Sequence, residues 1–162
     1  MTTAFLLVGL TGSGKTTYAS RVLEPAGVVR LSVDERVFAV HGRYGVDYPE
    51  DTYFEREAPI VAEVRAEFTA LLAAGRDVVL DHGLWRRTER DTWRGLASAA
   101  GATVRLLYFP VPRAELLRRL AARNTETHAN ALLVTPEALD AFYTRFDPPT
   151  DEGEEIILPY AC

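Results

Sequence analysis

Near its N-terminus the chain reads Gly9-Leu10-Thr11-Gly12-Ser13-Gly14-Lys15-Thr16, which fits G-x-x-x-x-G-K-[ST] at every fixed position. The pattern constrains a fold because it works only between a strand and a helix. Both flanks are present. Ala4-Phe5-Leu6-Leu7-Val8 is a short apolar run that predicts a buried strand, and Thr17 to Leu23 carries apolar residues at helical spacing. Gly12 and Gly14 allow backbone N–H groups to turn toward an anion, and a helix starting near Lys15 adds its positive dipole end. Lys15 is then expected to reach the β- and γ-phosphates of a nucleoside triphosphate, with the Thr16 hydroxyl as a Mg²⁺ ligand.

A chain of 162 residues is expected to form one domain, 1–162, with a core of its own. Its net charge of −5 argues against broad, non-specific nucleic-acid binding while leaving room for a small basic pocket. The single cysteine, Cys162, rules out an internal disulfide. With no signal-type start and no bilayer-length apolar run, the expectation is a cytoplasmic protein with no membrane association. Lys15 is the only lysine in the sequence, which suits a role that arginine cannot fill in a phosphate loop.

Strand and helix signals alternate along the chain. Strands are expected at 28–31, 77–81, 103–109 and 155–158. Helices are expected at 35–40, from 51 or 52 to 74, and at 87–100, 113–123 and 136–146. Pro59 predicts a kink or a break in the long helix. Alternation of this kind means an α/β domain built on a parallel sheet with helices on both faces.

Ligands of such sheets lie beyond the carboxyl ends of the strands, which draws attention to Asp34 after the second strand and Asp81 at the end of the third. Asp77 starts its strand and lies at the wrong end. Val78-Val79-Leu80-Asp81 has the form of a strand whose final aspartate holds Mg²⁺ or its water shell; the alternative is a cap for the next segment. Asp34 is placed to accept a proton from an acceptor hydroxyl, or else to cap the helix that follows, as Ser32 also can. Arg119 and Arg123, four apart, lie on one helical face leading into an irregular segment. They are either lid arginines that close over the phosphates or a solvated basic face paired with Glu115 or Glu126. Arg87, Arg90 and Arg94 are at helical spacing and line a pocket for an anionic acceptor, or simply a helix surface. His82 touches substrate or makes a structural hydrogen bond. Neither His82 nor His41 belongs to a cluster with metal-ligand spacing. Tyr44, Tyr48, Tyr53, Phe54 and Trp85 are available as an aromatic pocket wall or as core.

Taken together, the Gly9–Thr17 loop, Leu31-Ser32-Val33-Asp34, Val78-Val79-Leu80-Asp81 with its arginine-bearing helix, and Glu115 to Asn124 resemble the small P-loop kinases. Within these the resemblance is to zeta toxins, chloramphenicol phosphotransferase and the kinase domain of polynucleotide kinases. It spans nearly the whole chain. It implies a P-loop NTPase domain with sheet order 2-3-1-4-5 and a small helical lid at about 119–135. ATP would be the donor, with Mg²⁺, Asp34 as the base that activates a hydroxyl, and Arg119 and Arg123 on the nucleotide. Gly9, Thr11, Gly12, Ser13, Gly14, Lys15, Thr16 and Thr17 would bind the nucleotide, Thr16 and Asp81 the metal, and Arg36, His82, Arg87 and Arg90 would face the acceptor. Polynucleotide kinases tend to place an arginine three residues after the base, where this chain has Val37, with Arg36 one residue off. That departure, with the acidic net charge, favours a small-molecule hydroxyl over a nucleic-acid 5′ end. A regulatory ATPase is a further alternative, and no obligate protein partner is expected.

Overall fold

The structure is a computed structural model, and it describes residues 1–123 and 135–158, without the side chain of Arg123. Most of the expected lid, with Glu126, and Cys162 lie outside these described residues.

Five parallel strands form the sheet: β1 Thr3–Val8, β2 Val29–Ser32, β3 Val78–Asp81, β4 Thr103–Tyr108 and β5 Glu155–Ile156, in the order β2-β3-β1-β4-β5. The implied order is the observed one. β1 is central because its residues are apolar on both sides. Ala4, Leu6 and Val8 join one half of the core, with Val64, Phe68, Trp93 and Ala97; Phe5 and Leu7 join the other, with Ala19, Leu23, Val79 and Phe109. Alternate side chains of a strand point to opposite faces, so a strand covered on both sides is a continuous apolar run. At the amino edge Asp77 ties neighbours together, accepting from the Thr3 N–H at 2.8 Å and, through its carbonyl, from Val29 at 2.9 Å.

The helices among the described residues are α1 Lys15–Tyr18, α2 Val33–His41, α3 Tyr53–Ala73, α4 Arg87–Ala99, α5 Arg113–Arg123 and α6 Pro136–Arg145. α1 runs on through a π-helical turn at Ala19–Leu23 and a 3₁₀ turn at Glu24–Ala26. α3 is one helix, so of the kink or break expected at Pro59 the break does not occur. A proline costs one helical hydrogen bond. Ile60, Val64, Phe68 and Leu72 repeat every fourth residue and bury one face of α3, and this packing outweighs that loss. Phe68 meets Trp93 of α4 edge-on at 5.0 Å, joining the two helices over the sheet.

Candidate active site

β1 ends at Val8 and the chain turns directly into the glycine loop. Gly12 and Gly14 take φ +87° and +98°, the left-handed region that only glycine enters without strain. A Cβ at Gly9 would stand 2.5 Å from Ser13 Oγ and 3.3 Å from Phe109 Cβ, so those side chains would have to shift to admit one. Neighbouring elements hold the turn: the Gly9 N–H donates to the Gly83 carbonyl at 3.3 Å and Trp85 Nε1 to the Gly9 carbonyl at 3.3 Å. The Lys15 ammonium lies folded along the loop, donating to the carbonyls of Gly9 at 3.0 Å and Leu10 at 3.1 Å.

Thr16 and Asp81 meet across the strand ends. The Thr16 hydroxyl donates to Asp81 Oδ2 at 2.7 Å, and Arg30 Nη1 donates to the same oxygen at 3.1 Å. Burial pushes the Asp81 carboxyl up, against the pull of Lys15, the Thr16 hydroxyl and Arg30. A hydroxyl and a carboxylate side by side next to a phosphate cradle are the hard oxygen donors that Mg²⁺ prefers, so these residues fit the metal. Among the described residues the helix that follows is capped at Arg86, not by Asp81. Arg30 was not singled out in the sequence because it sits inside an apolar strand run. It joins Glu24 at 2.9 Å, Glu35 and Asp81, and so braces the strand ends from below the site.

Asp34 lies in the first turn of α2. It is not the cap: Ser32 is, accepting from the Glu35 N–H at 3.2 Å. The Asp34 carboxylate is therefore available to other groups. Tyr53, at the start of α3, donates its hydroxyl to Asp34 Oδ1 at 2.8 Å, and burial beside Asp34 and Glu57 keeps the phenol protonated. Asp34, Glu57 of α3 and His82 after β3 bring one ligand atom each within 4.8 Å of one another. Sequence spacing puts His82 in no donor cluster, because three separate elements contribute these atoms. Burial pushes the Glu57 carboxyl up, while His82 and Tyr53 pull it down. Beside this trio opens a cleft of about 410 Å³ lined by Glu57, His82, Glu89, Arg65, Phe54 and Trp93 among others.

Arg119 reaches the phosphate loop from α5. Buried, it donates to the Gly12 carbonyl at 3.1 Å and to Glu115 at 2.9 Å, so it lies against the phosphate loop and not on a solvated face. Arg123 ends α5, and the reach of its side chain lies outside the described residues. Arg90 and Arg36 depart from expectation, and Arg87 takes its helix-surface alternative. Arg90 has no exposed surface; it is locked to Glu152 at 2.8 Å and to the carbonyls of Leu84 and Trp85, because the loop carrying His82 needs an internal anchor. Arg87 is an exposed side chain 4.0 Å from Asp91 of the same helix. Arg36 is drawn to Glu67 of α3 at 2.5 Å, away from Asp34. Of the aromatic residues, Tyr44, Tyr48 and Tyr53 pack on one another, and Phe54 is exposed at the cleft.

The fold and the loop define a P-loop domain, and the chain belongs to the AAA domain family AAA_33, whose model matches residues 5–149. A search of curated proteins finds no match. Among solved structures the chain is similar to a gluconokinase from Sinorhizobium meliloti 1021, at 18% identity and a TM-score of 0.66, covering 98% of this chain and 83% of that one. It is similar to the Mycobacterium tuberculosis APS kinase CysC in complex with AMPPNP and APS, at 17% identity and a TM-score of 0.62, covering 99% and 90%. It is also similar to a chain of the Pnkp1/Rnl/Hen1 RNA repair complex, at 22% identity and a TM-score of 0.71, covering 95% of this chain and 50% of that one. The neighbours are small kinases among other P-loop proteins, and the fold is theirs. Among the described residues no helix is long and apolar enough to cross a membrane.

Proposed function

We propose that this protein is a cytoplasmic kinase that moves the γ-phosphate of ATP to a hydroxyl of a small-molecule acceptor. One observation carries the reading: Asp34 stands beside both halves of a transfer site. It lies two residues past Ser32, which stands in register with Asp81 on the donor side, and it meets Glu57 and His82 at the wall of the cleft. On this reading Gly9, Thr11, Gly12, Ser13, Gly14, Thr16 and Thr17 surround the phosphates with backbone and hydroxyl donors. Lys15 swings from its carbonyls onto the β- and γ-phosphates. Thr16 and Asp81 would hold Mg²⁺, which when bound supplies charge for the phosphate oxygens. Arg119, already on the Gly12 carbonyl, and Arg123 bring further positive charge from α5.

Asp34 takes the acceptor hydroxyl proton as the acceptor oxygen bonds to the γ-phosphorus and the bond to the β-phosphate oxygen breaks, leaving ADP. Tyr53 fixes the orientation of that carboxylate through its hydrogen bond. The reading needs no protein partner. The test is product formation from ATP and a metabolite mixture, scored by mass spectrometry against Lys15→Ala. In Asp34→Ala, nucleotide binding persists while transfer falls by about 10²-fold or more, the scale of a positioned base. Undiminished turnover in Asp34→Ala would remove it from the mechanism.

The likeness to a chain of an RNA repair complex favours a second reading, a kinase of nucleic-acid 5′-hydroxyl ends. A net charge of −5 opposes it. Label transfer from ATP to 5′-hydroxyl oligonucleotides of several lengths decides between the two.

A further inference from the structure

The cleft beside Asp34 has a chemistry of its own. Of the arginines that chain order brings toward an acceptor, Arg36 pairs with Glu67 and Arg90 is buried against Glu152, while Arg87 is exposed and does not line the cleft. The groups that face the cleft are of the opposite sign. Glu57 and Glu89 line it, His82 lies 3.9 Å from Glu89, and Asp34 meets Glu57 and His82 at one end. Against these three carboxylates stands one guanidinium in the lining, that of Arg65, whose carbon lies 5.8 Å over the Trp93 ring. An acceptor carrying a carboxylate, sulfate or phosphate would lose water there only to meet like charge.

A cation meets the reverse situation. Its N–H groups make charge-assisted hydrogen bonds to carboxylates already in place, and the exposed ring of Phe54 offers a face that attracts positive charge. Burial disfavours a lone charge on Glu57, and a neighbouring ammonium would restore it. The volume of about 410 Å³ suits a small molecule. We propose that the acceptor is a hydroxyl-bearing amine, an amino sugar or amino alcohol, whose ammonium sits between Glu57 and Glu89 while its hydroxyl faces Asp34. This rests on the kinase reading above and specifies the substrate class of that site.

The test uses the full chain with ATP and Mg²⁺ and three matched sets of acceptors: amino sugars and amino alcohols, their N-acetyl forms, and sugar acids of similar size. The amines are expected to exceed both other sets in kcat/KM by about ten- to hundredfold, the range of one or two hydrogen bonds to a charged group. Glu57→Gln should reduce that preference. Because Glu57 is partly buried, Glu89→Gln provides a second variant at an exposed side chain, and it should shrink the amine-over-acetyl ratio at least tenfold. Equal transfer to all three sets, or a preference for the acids, overturns the amine proposal and leaves the kinase reading standing. Consumption of ATP with no phosphorylated product in any set overturns both.

Discussion

Asp34 and Tyr53 are nineteen residues apart and belong to different helices, yet their 2.8 Å hydrogen bond sets the direction of the carboxylate. On the proposed mechanism Tyr53 acts through Asp34, as a positioning residue. Tyr53→Phe keeps the ring packing against Tyr44 and Tyr48 and removes only the hydroxyl. Transfer in that variant should drop about ten- to hundredfold in kcat, with KM for ATP unchanged, since one hydrogen bond to a charged group is lost on the acceptor side alone. Steady-state kinetics with ATP varied at fixed acceptor checks the split. The alternative of Asp34 as a helix cap was open from the residues alone, because Ser32 and Asp34 are both good caps. The backbone decides it, since α2 begins at Val33 and only Ser32 stands at the capping position.

At the scale of elements, the C-terminal segment is held to the site by charge. Glu152 is almost fully buried and pairs with Arg90 and Arg94 of α4, both at 2.8 Å, and Arg90 in turn grips the Leu84 and Trp85 carbonyls. Removing one partner of a buried pair leaves the other charge uncompensated, at about 3–5 kcal/mol. Glu152→Gln should therefore lower Tm by roughly 6–20 °C in a domain of this size. The exposed pair Arg113 with Asp140 should be worth about 1 kcal/mol or less. The same contact has a pH signature. Arg90, and then Arg94, hold the Glu152 carboxyl down at about 2. A depressed folded value stabilises the fold above the unfolded value of roughly 4.3, and that contribution disappears as pH falls toward the folded one. Acid unfolding followed by circular dichroism should show a shallower loss below that pH in Glu152→Gln than in the parent.

At the scale of the molecule, the phosphate loop stands at the carboxyl ends of β1 and β3, beside α5, so a nucleotide bound there would bridge parts far apart in the chain. A ligand that binds only the folded state at a hundred times its Kd adds about 2.7 kcal/mol. ATP with Mg²⁺ should then raise Tm by roughly 5–10 °C, and Lys15→Ala should remove most of that rise in a thermal shift measurement.

The donor half was legible in the residues because it is local. One strand, one glycine loop and one helix start carry the motif, to which Asp81 and Arg119 are added from β3 and α5. The alternation of strands and helices likewise stated the α/β class, since each strand covered on both faces must be apolar throughout. The acceptor half was legible only as positions near strand ends. Arg87, Arg90 and Arg94 stand at a helical spacing suited to an anion, yet Arg90 is buried against Glu152 and Arg94 pairs with Asp91 and Glu152. Glu57 gave no signal in a long helix of mixed charge, and its meeting with Asp34 and His82 exists only once α2, α3 and the turn after β3 are packed together. Local sequence suffices for the glycine loop between β1 and α1. Tertiary packing alone decided which charges face the cleft beside it, because a side chain's partner is set by what the fold places within reach.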